Sequence, residues 1–234
     1  MRDRERLLSR PPRKVSINLG LSTLTSLKDK LNREHAALVV VDMQNDFCSP
    51  SGAADRTGRD ISMIPPMIPN LLNLIDETRR ARVPILFVRC VYNTTDGRYL
   101  SQAWLEQAQR QKHGLYLEVP LCVEGSWGWN FVEGIEPKDG EAVITKHRYD
   151  AFLDTDFDLV LRSKRIRTLV MTGVTTNCCV ESTARHGFMQ DYHIVLVRDC
   201  TAAYSNKLYE ASLENIDRLF GQVVSSEELL ASWG

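Results

Sequence analysis

Short runs of apolar, β-branched residues recur along this chain, separated by stretches of helical spacing, and that alternation leaves few folds open. Ala37-Leu-Val-Val-Val-Asp42 is the first run, continuous rather than alternating, as in strands buried on both faces. Residues 69–81 follow with Leu71, Leu72, Ile75 and Thr78 at helical spacing, and Val83–Arg89 reads as a second strand. A polar helix is expected over 101–112. Further strands are expected at Glu141–Lys146, Arg167–Thr172, His193–Arg198 and, last and short, Gln222–Val224, with helices over 156–164, 177–190 and 206–219. Strand and helix alternating at this pitch predict βαβ units with right-handed crossovers. The expected fold class is therefore α/β: a three-layer α/β/α, doubly wound architecture on a mostly parallel six-stranded sheet.

Composition narrows the partners. The 234 residues carry 29 Lys and Arg against 30 Asp and Glu, a net charge of −1, so no whole-molecule field draws in nucleic acid or an anionic membrane. No apolar run approaches the roughly 20 residues of a membrane span, and Met1–Lys14 is Arg-rich without the apolar segment of a secretory signal. Residues 1–35 stand apart with a net charge of +5 and Pro11-Pro12, and without interleaved aromatics they read as a solvated basic arm. Residues 36–234 are expected to form one domain. Six cysteines (48, 90, 122, 178, 179, 200) show no CxxC pair, which points to reduced thiols and a cytoplasmic protein. Histidines 35, 113, 147, 186 and 193 lack paired ligand spacing, so neither a metal nor another cofactor is expected.

In open α/β sheets ligands bind beyond the carboxyl ends of the strands. At those ends the expected strands place Asp42, Lys146, the segment Gly173–Asn177 leading into Cys178-Cys179, and Asp199. Each alone is an ordinary capping or solvated residue; together an acid, a cation and a thiol converge on one crevice. Asn177 is a suitable helix N-cap, which would put both cysteines in the first turn, where the helix dipole favours a thiolate.

Three blocks carry a resemblance: Val41-Asp-Met-Gln-Asn-Asp-Phe47, Thr145-Lys146, and Thr172-Gly-Val-Thr-Thr-Asn-Cys-Cys-Val-Glu-Ser-Thr183. Together, in this order, they resemble the isochorismatase-like cysteine hydrolase superfamily over roughly residues 36–224. Gly125-Ser-Trp127 and Lys146-His-Arg-Tyr149 are most similar to its ureidoacrylate and biuret amidohydrolase branch. The resemblance implies an Asp–Lys–Cys triad at Asp42, Lys146 and Cys179. Within the cysteine doublet, Cys179 is the one that lies six residues after Gly173 and precedes an apolar residue, Val180. It also implies a cis peptide at Val174–Thr175 and oxyanion donors at the N–H groups of Thr175 and Cys179. Phe47, Tyr92 and Tyr149 are implied as substrate-contacting aromatics. Asp46 and Asp199 are read as structural, and Trp127 and Trp129 as loop anchors.

The activity that the resemblance implies is that of an amidohydrolase acting on a small amide or ureido substrate through a thioester, releasing ammonia, in a dimer or tetramer. The nearest alternative is a nicotinamidase-like hydrolase, whose metal site includes an Asp-x-His element soon after the second strand; Val91–Gly97 here contains no histidine. Isochorismatase proper lacks the cysteine. A catalytically silent binding protein of the same fold is the reading from a different class. Loops 48–68 and 92–130 are where the substrate is decided, and their conformation is not legible in the sequence.

Overall fold

The computed structural model describes residues 24–94, 96–110 and 118–233. Its elements run α1 (Leu27–Lys30), β1 (Ala36–Val41), α2 (Asn45–Cys48), α3 (Ala53–Arg56), α4 (Ile64–Arg80), β2 (Ile85–Cys90), α5 (Gln102–Arg110) and β3 (Ala142–Lys146). Then come α6 (Phe157–Ser163), β4 (Thr168–Val174), a π-helical turn (Thr176–Val180), α7 (Glu181–Met189), β5 (His193–Ala202) and α8 (Asn206–Asn215). A second π turn (Ile216–Phe220), β6 (Gly221–Val224) and α9 (Ser226–Ala231) complete the order. All six strands are parallel, in the order β3-β2-β1-β4-β5-β6. The order reverses between β1 and β4, the topological switch point where such sheets hold their ligands.

The doubly wound reading of β1 is visible in its burial. All six residues are solvent-free, and they alternate between two cores. Leu38 and Val40 join Leu71, Leu74 and Ile75 of α4 on one face; Ala37, Val39 and Val41 join Phe157 and Leu161 of α6 and Ala184 of α7 on the other. Each such side chain contributes about 1.5–3 kcal/mol by leaving water.

Several boundaries differ from expectation. The helix expected over 69–81 begins five residues earlier, at Ile64, because Pro65 and Pro66 occupy its first turn, where a missing N–H costs nothing. The last two residues of the helix expected over 101–112 lie outside the described residues, as do residues 1–23 of the expected arm. Of the rest of that arm, α1 is closed by a capping box between Ser26 and Asp29, and Leu31 is buried beside Trp233. The Trp233 indole N–H donates to the Leu31 carbonyl at 2.7 Å.

The strand expected to stop before Asp199 instead continues to Ala202. Its register against β4 shifts, pairing Met171 with Leu196 but Gly173 with Thr201, so extra residues bulge out between them. At the same level Gly173 has φ +97°, and a Cβ there would lie 2.0 Å from the Val41 carbonyl oxygen. β4 is thus pressed against the end of β1, immediately before Asp42. Gly173→Ala is expected to cost about 2–4 kcal/mol of stability through both the clash and the left-handed backbone, measured by urea unfolding; unchanged unfolding would show that the two strands separate easily here.

Candidate active site

The site forms where β1, β3 and β4 end. Asp42 follows the last residue of β1, with φ 51° turning the chain out of the sheet. Lys146 is the last residue of β3, two strands away, and its side chain must reach back across the sheet end. It does so while fully buried: Lys146 Nζ stands 2.7 Å from Asp42 Oδ2 and donates to the Arg148 carbonyl at 3.0 Å. It also lies 5.8 Å from the centre of the Tyr92 ring, a cation–π contact.

The third member lies in the turn after β4. Val174–Thr175 is a cis peptide. Asn177 is not an N-cap here: Thr175 holds the cap position, and Asn177 and both cysteines fall within the π turn. That turn is closed by the N–H groups of Cys178 and Val180, both donating to the Thr175 carbonyl at 3.1 and 3.2 Å; the N–H groups of Thr175 and Cys179 take no part in that closure. Hydroxyls brace the turn from behind. Thr201 Oγ1 donates to the Gly173 carbonyl at 2.8 Å, so it accepts from Thr176 Oγ1, also at 2.8 Å, while Ser212 Oγ donates to the Thr176 carbonyl at 3.2 Å.

Cys179 is 5% exposed and Cys178 half-buried. The Cys178 thiol beside it and its own burial hold the Cys179 thiol well above the ordinary range, against the pull of Lys146 and Asp42. The thiol is thus raised, not lowered as at a simple helix N-terminus. Burial pushes the Asp42 carboxyl well above the usual carboxylate range, although Lys146 draws it down. Lys146 is pushed down by burial, but the charges of Asp42, Cys179 and Cys90 outweigh that and hold its ammonium form. Cys48, Cys90, Cys122 and Cys200 are buried and raised mainly by burial, as packing thiols are.

Above the sulfur lies a cavity of about 540 Å³, the size of a small-molecule site. Phe47, Tyr92, Tyr149 and Thr175 all line it, together with Asp42 and Cys179. The Tyr92 hydroxyl is 4.0 Å from Cys179 Sγ, and Tyr149 packs on Trp104 at 4.7 Å between ring centres. Burial pushes the Tyr149 hydroxyl up, which keeps its proton available as a donor. Sequence reasoning missed Arg59, Gln107, Tyr204 and Leu208 on the cavity wall. They come from irregular segments or helix surfaces where no periodicity or motif marks a side chain as inward.

Asp46 stays below this wall as a structural brace. Its two oxygens accept the Ala53 N–H at 3.0 Å and the Cys122 N–H at 2.7 Å, tying two rim loops together. Asp199 likewise accepts from Ser226, at the start of α9. Of the two tryptophans, Trp129 anchors through the Arg89 guanidinium 3.7 Å from its ring centre, whereas Trp127 is 54% exposed and its carbonyl accepts from the Asn45 side chain and the Asn130 N–H. Among the described residues no group of three or more His, Cys, Asp or Glu is placed to hold a metal, and no helix is long and apolar enough to cross a membrane. Asp46→Asn turns an amide N–H₂ toward a backbone donor. It is expected to lower stability by about 2–3 kcal/mol in denaturant titrations, and an unchanged midpoint would show that the loops hold without it.

Comparison with known proteins gives a consistent picture. A family model described as an isochorismatase domain matches residues 36–228. A ureidoacrylate amidohydrolase of Pseudomonas savastanoi pv. phaseolicola is 36% identical over 206 residues, 84% of this chain and 83% of that protein. An isochorismatase family protein from Desulfovibrio vulgaris subsp. vulgaris is similar in structure with a TM-score of 0.71 at 28% identity, covering 84% of this chain and 98% of that one. The N-carbamoylsarcosine amidase of Thermoplasma acidophilum gives 0.62 at 25% identity, covering 82% and 97%.

Proposed function

The chain belongs to the isochorismatase family, and on that footing we propose that it is a cysteine-dependent amidohydrolase. Its substrate is a small amide or ureido compound, ureidoacrylate- or biuret-like, cleaved to an acid or carbamate plus ammonia. The observation that carries this reading is the meeting of a buried carboxyl, a buried ammonium 2.7 Å from it and a buried thiol, with the carboxyl and the thiol lining one small-molecule cavity.

Asp42 takes the proton of Cys179 Sγ as the sulfur attacks the carbonyl carbon, and Lys146 stabilises the charge left in the buried pair. A base with a raised pKa suits this task, because its proton affinity lies nearer that of the thiol it must deprotonate. The negative oxygen of the tetrahedral intermediate is received by the N–H groups of Thr175 and Cys179, each such donor being worth roughly 3 kcal/mol. Asp42 then returns the proton to the departing ammonia, leaving a thioester, or a thiocarbamate from a ureido substrate. Water, deprotonated by Asp42, releases the product and restores the thiol. Phe47, Tyr92 and Tyr149 pack on and hydrogen-bond a planar substrate. The six free cysteines fit a cytoplasmic protein, and the exposed Leu159, Met189 and Leu219 offer apolar surface that a dimer or tetramer would cover.

Ammonia release from ureido compounds is the direct test, and a clear preference for nicotinamide would overturn the substrate assignment. Cys179→Ala is expected to abolish turnover while Cys178→Ala keeps most of it; equal loss with intact circular dichroism would mean the doublet is misassigned. Asp42→Asn and Lys146→Ala should each lower kcat by about 10²-fold or more. The acid limb of kcat/KM reports Asp42 losing its ability to accept a proton. It should lie above the pH of an ordinary carboxylate, since Asp42 is raised, and move to still higher pH in Lys146→Ala, since the lysine holds that carboxyl down. A limb that ignores the lysine would remove Asp42 as the base.

A further inference from the structure

One cation stands on the wall of the cavity above Cys179. Among the described lining residues Arg59 is the sole lysine or arginine, and it makes no ion pair with a described carboxylate. Its neighbour Asp60 also lines the cavity, but that carboxylate accepts the Ser62 N–H at 2.9 Å.

Arg59 is nevertheless held in place. Its backbone N–H donates to the Ala54 carbonyl at 3.0 Å, and its Nη1 donates to Thr57 Oγ1 at 2.6 Å. Thr57 Oγ1 in turn donates to the Ala53 carbonyl at 2.7 Å, fixing it to the end of α3. The guanidinium lies 5.9 Å from the centre of the Tyr204 ring, and the Tyr204 hydroxyl donates to the Phe47 carbonyl at 3.0 Å. One of five N–H donors thus goes to Thr57, and the cavity that Arg59 lines also carries Phe47, Ala54, Leu121, Val174 and Leu208. Tyr149, Arg59 and both cysteines line the same cavity.

A positioned guanidinium with no anionic partner is half of a recognition pair. Its planar fork matches a carboxylate, and a partly enclosed cavity strengthens that bond over its value in water. We propose that Arg59 receives the carboxylate of an acidic substrate, so that the substrate class is a small ureido or amide acid whose carbonyl carbon reaches Cys179 while its carboxylate takes the guanidinium. The proposal rests on the amidohydrolase reading for the reactive end. It selects ureidoacrylate-like compounds over biuret-like ones, which carry no carboxylate.

Binding separates this proposal from the chemistry. Calorimetric titration of the Cys179→Ala protein with 3-ureidopropanoate and with its neutral methyl ester compares the two ends directly. The acid should bind roughly 10- to 100-fold more tightly than the ester, and Arg59→Met added to Cys179→Ala should bring the two within about threefold of each other. Arg59→Lys, which keeps the charge and loses the fork, should retain part of the preference for the acid. Equal affinities for acid and ester in Cys179→Ala, or a preference that survives Arg59→Met, would overturn the assignment. Failure of the parent reading looks different: the wild-type protein would bind the acid selectively through Arg59 yet release no ammonia from any ureido or amide compound.

Discussion

A lysine and an aspartate with no access to water, 2.7 Å apart, set the terms for everything around them. Bringing two charges out of solvent costs several kcal/mol each before their attraction repays it, and removing one partner leaves the other stranded at a cost of about 3–5 kcal/mol. A hydrophobic pair would hold the sheet end together at least as well. The arrangement makes physical sense as a device that keeps a proton acceptor buried beside a sulfur. Burial raises the proton affinity of Asp42 and Lys146 limits the rise.

Much of this was legible in the chain because strand ends are easy to locate. The run Ala37–Val41 is continuous and β-branched, so its end, and Asp42 beyond it, can be read from patterning alone; the same holds for Lys146 at the end of β3. The turn that carries Cys179 was harder. Asn177 has the chemistry of a cap, yet the π turn starts earlier, and the thiol is raised rather than lowered because Cys178 and burial outweigh Lys146 and Asp42. The extension of β5 to Ala202 was hidden because a bulge interrupts the two-residue period by which strands are read. Arg59 was invisible altogether: a lone arginine in a loop reads as a solvated charge until the fold turns it against Tyr204.

The molecule divides its labour between two kinds of structure. The groups proposed to react sit on strand ends or on a turn clamped by Thr176, Thr201 and Ser212, positions held by the sheet. Groups proposed to read the substrate sit on loops and short helices tied to that frame by a few strong bonds, Asp46 to Ala53 and Cys122 above all. Distant groups with no shared partners act almost independently, so the loops can change what is admitted without disturbing what is done to it.

The strand order also governs when the molecule becomes reactive. β1, made early, pairs with β2 on one side but with β4 on the other, and β4 begins only at Thr168. Asp42 emerges from the ribosome more than a hundred residues before its sulfur partner and waits for a contact of high sequence separation. The indole of Trp233 closes on Leu31 across 202 positions, later still. Vectorial synthesis therefore delivers Asp42 first, Lys146 next and Cys179 last, and the three can meet only once β4 and the turn beyond it have been made.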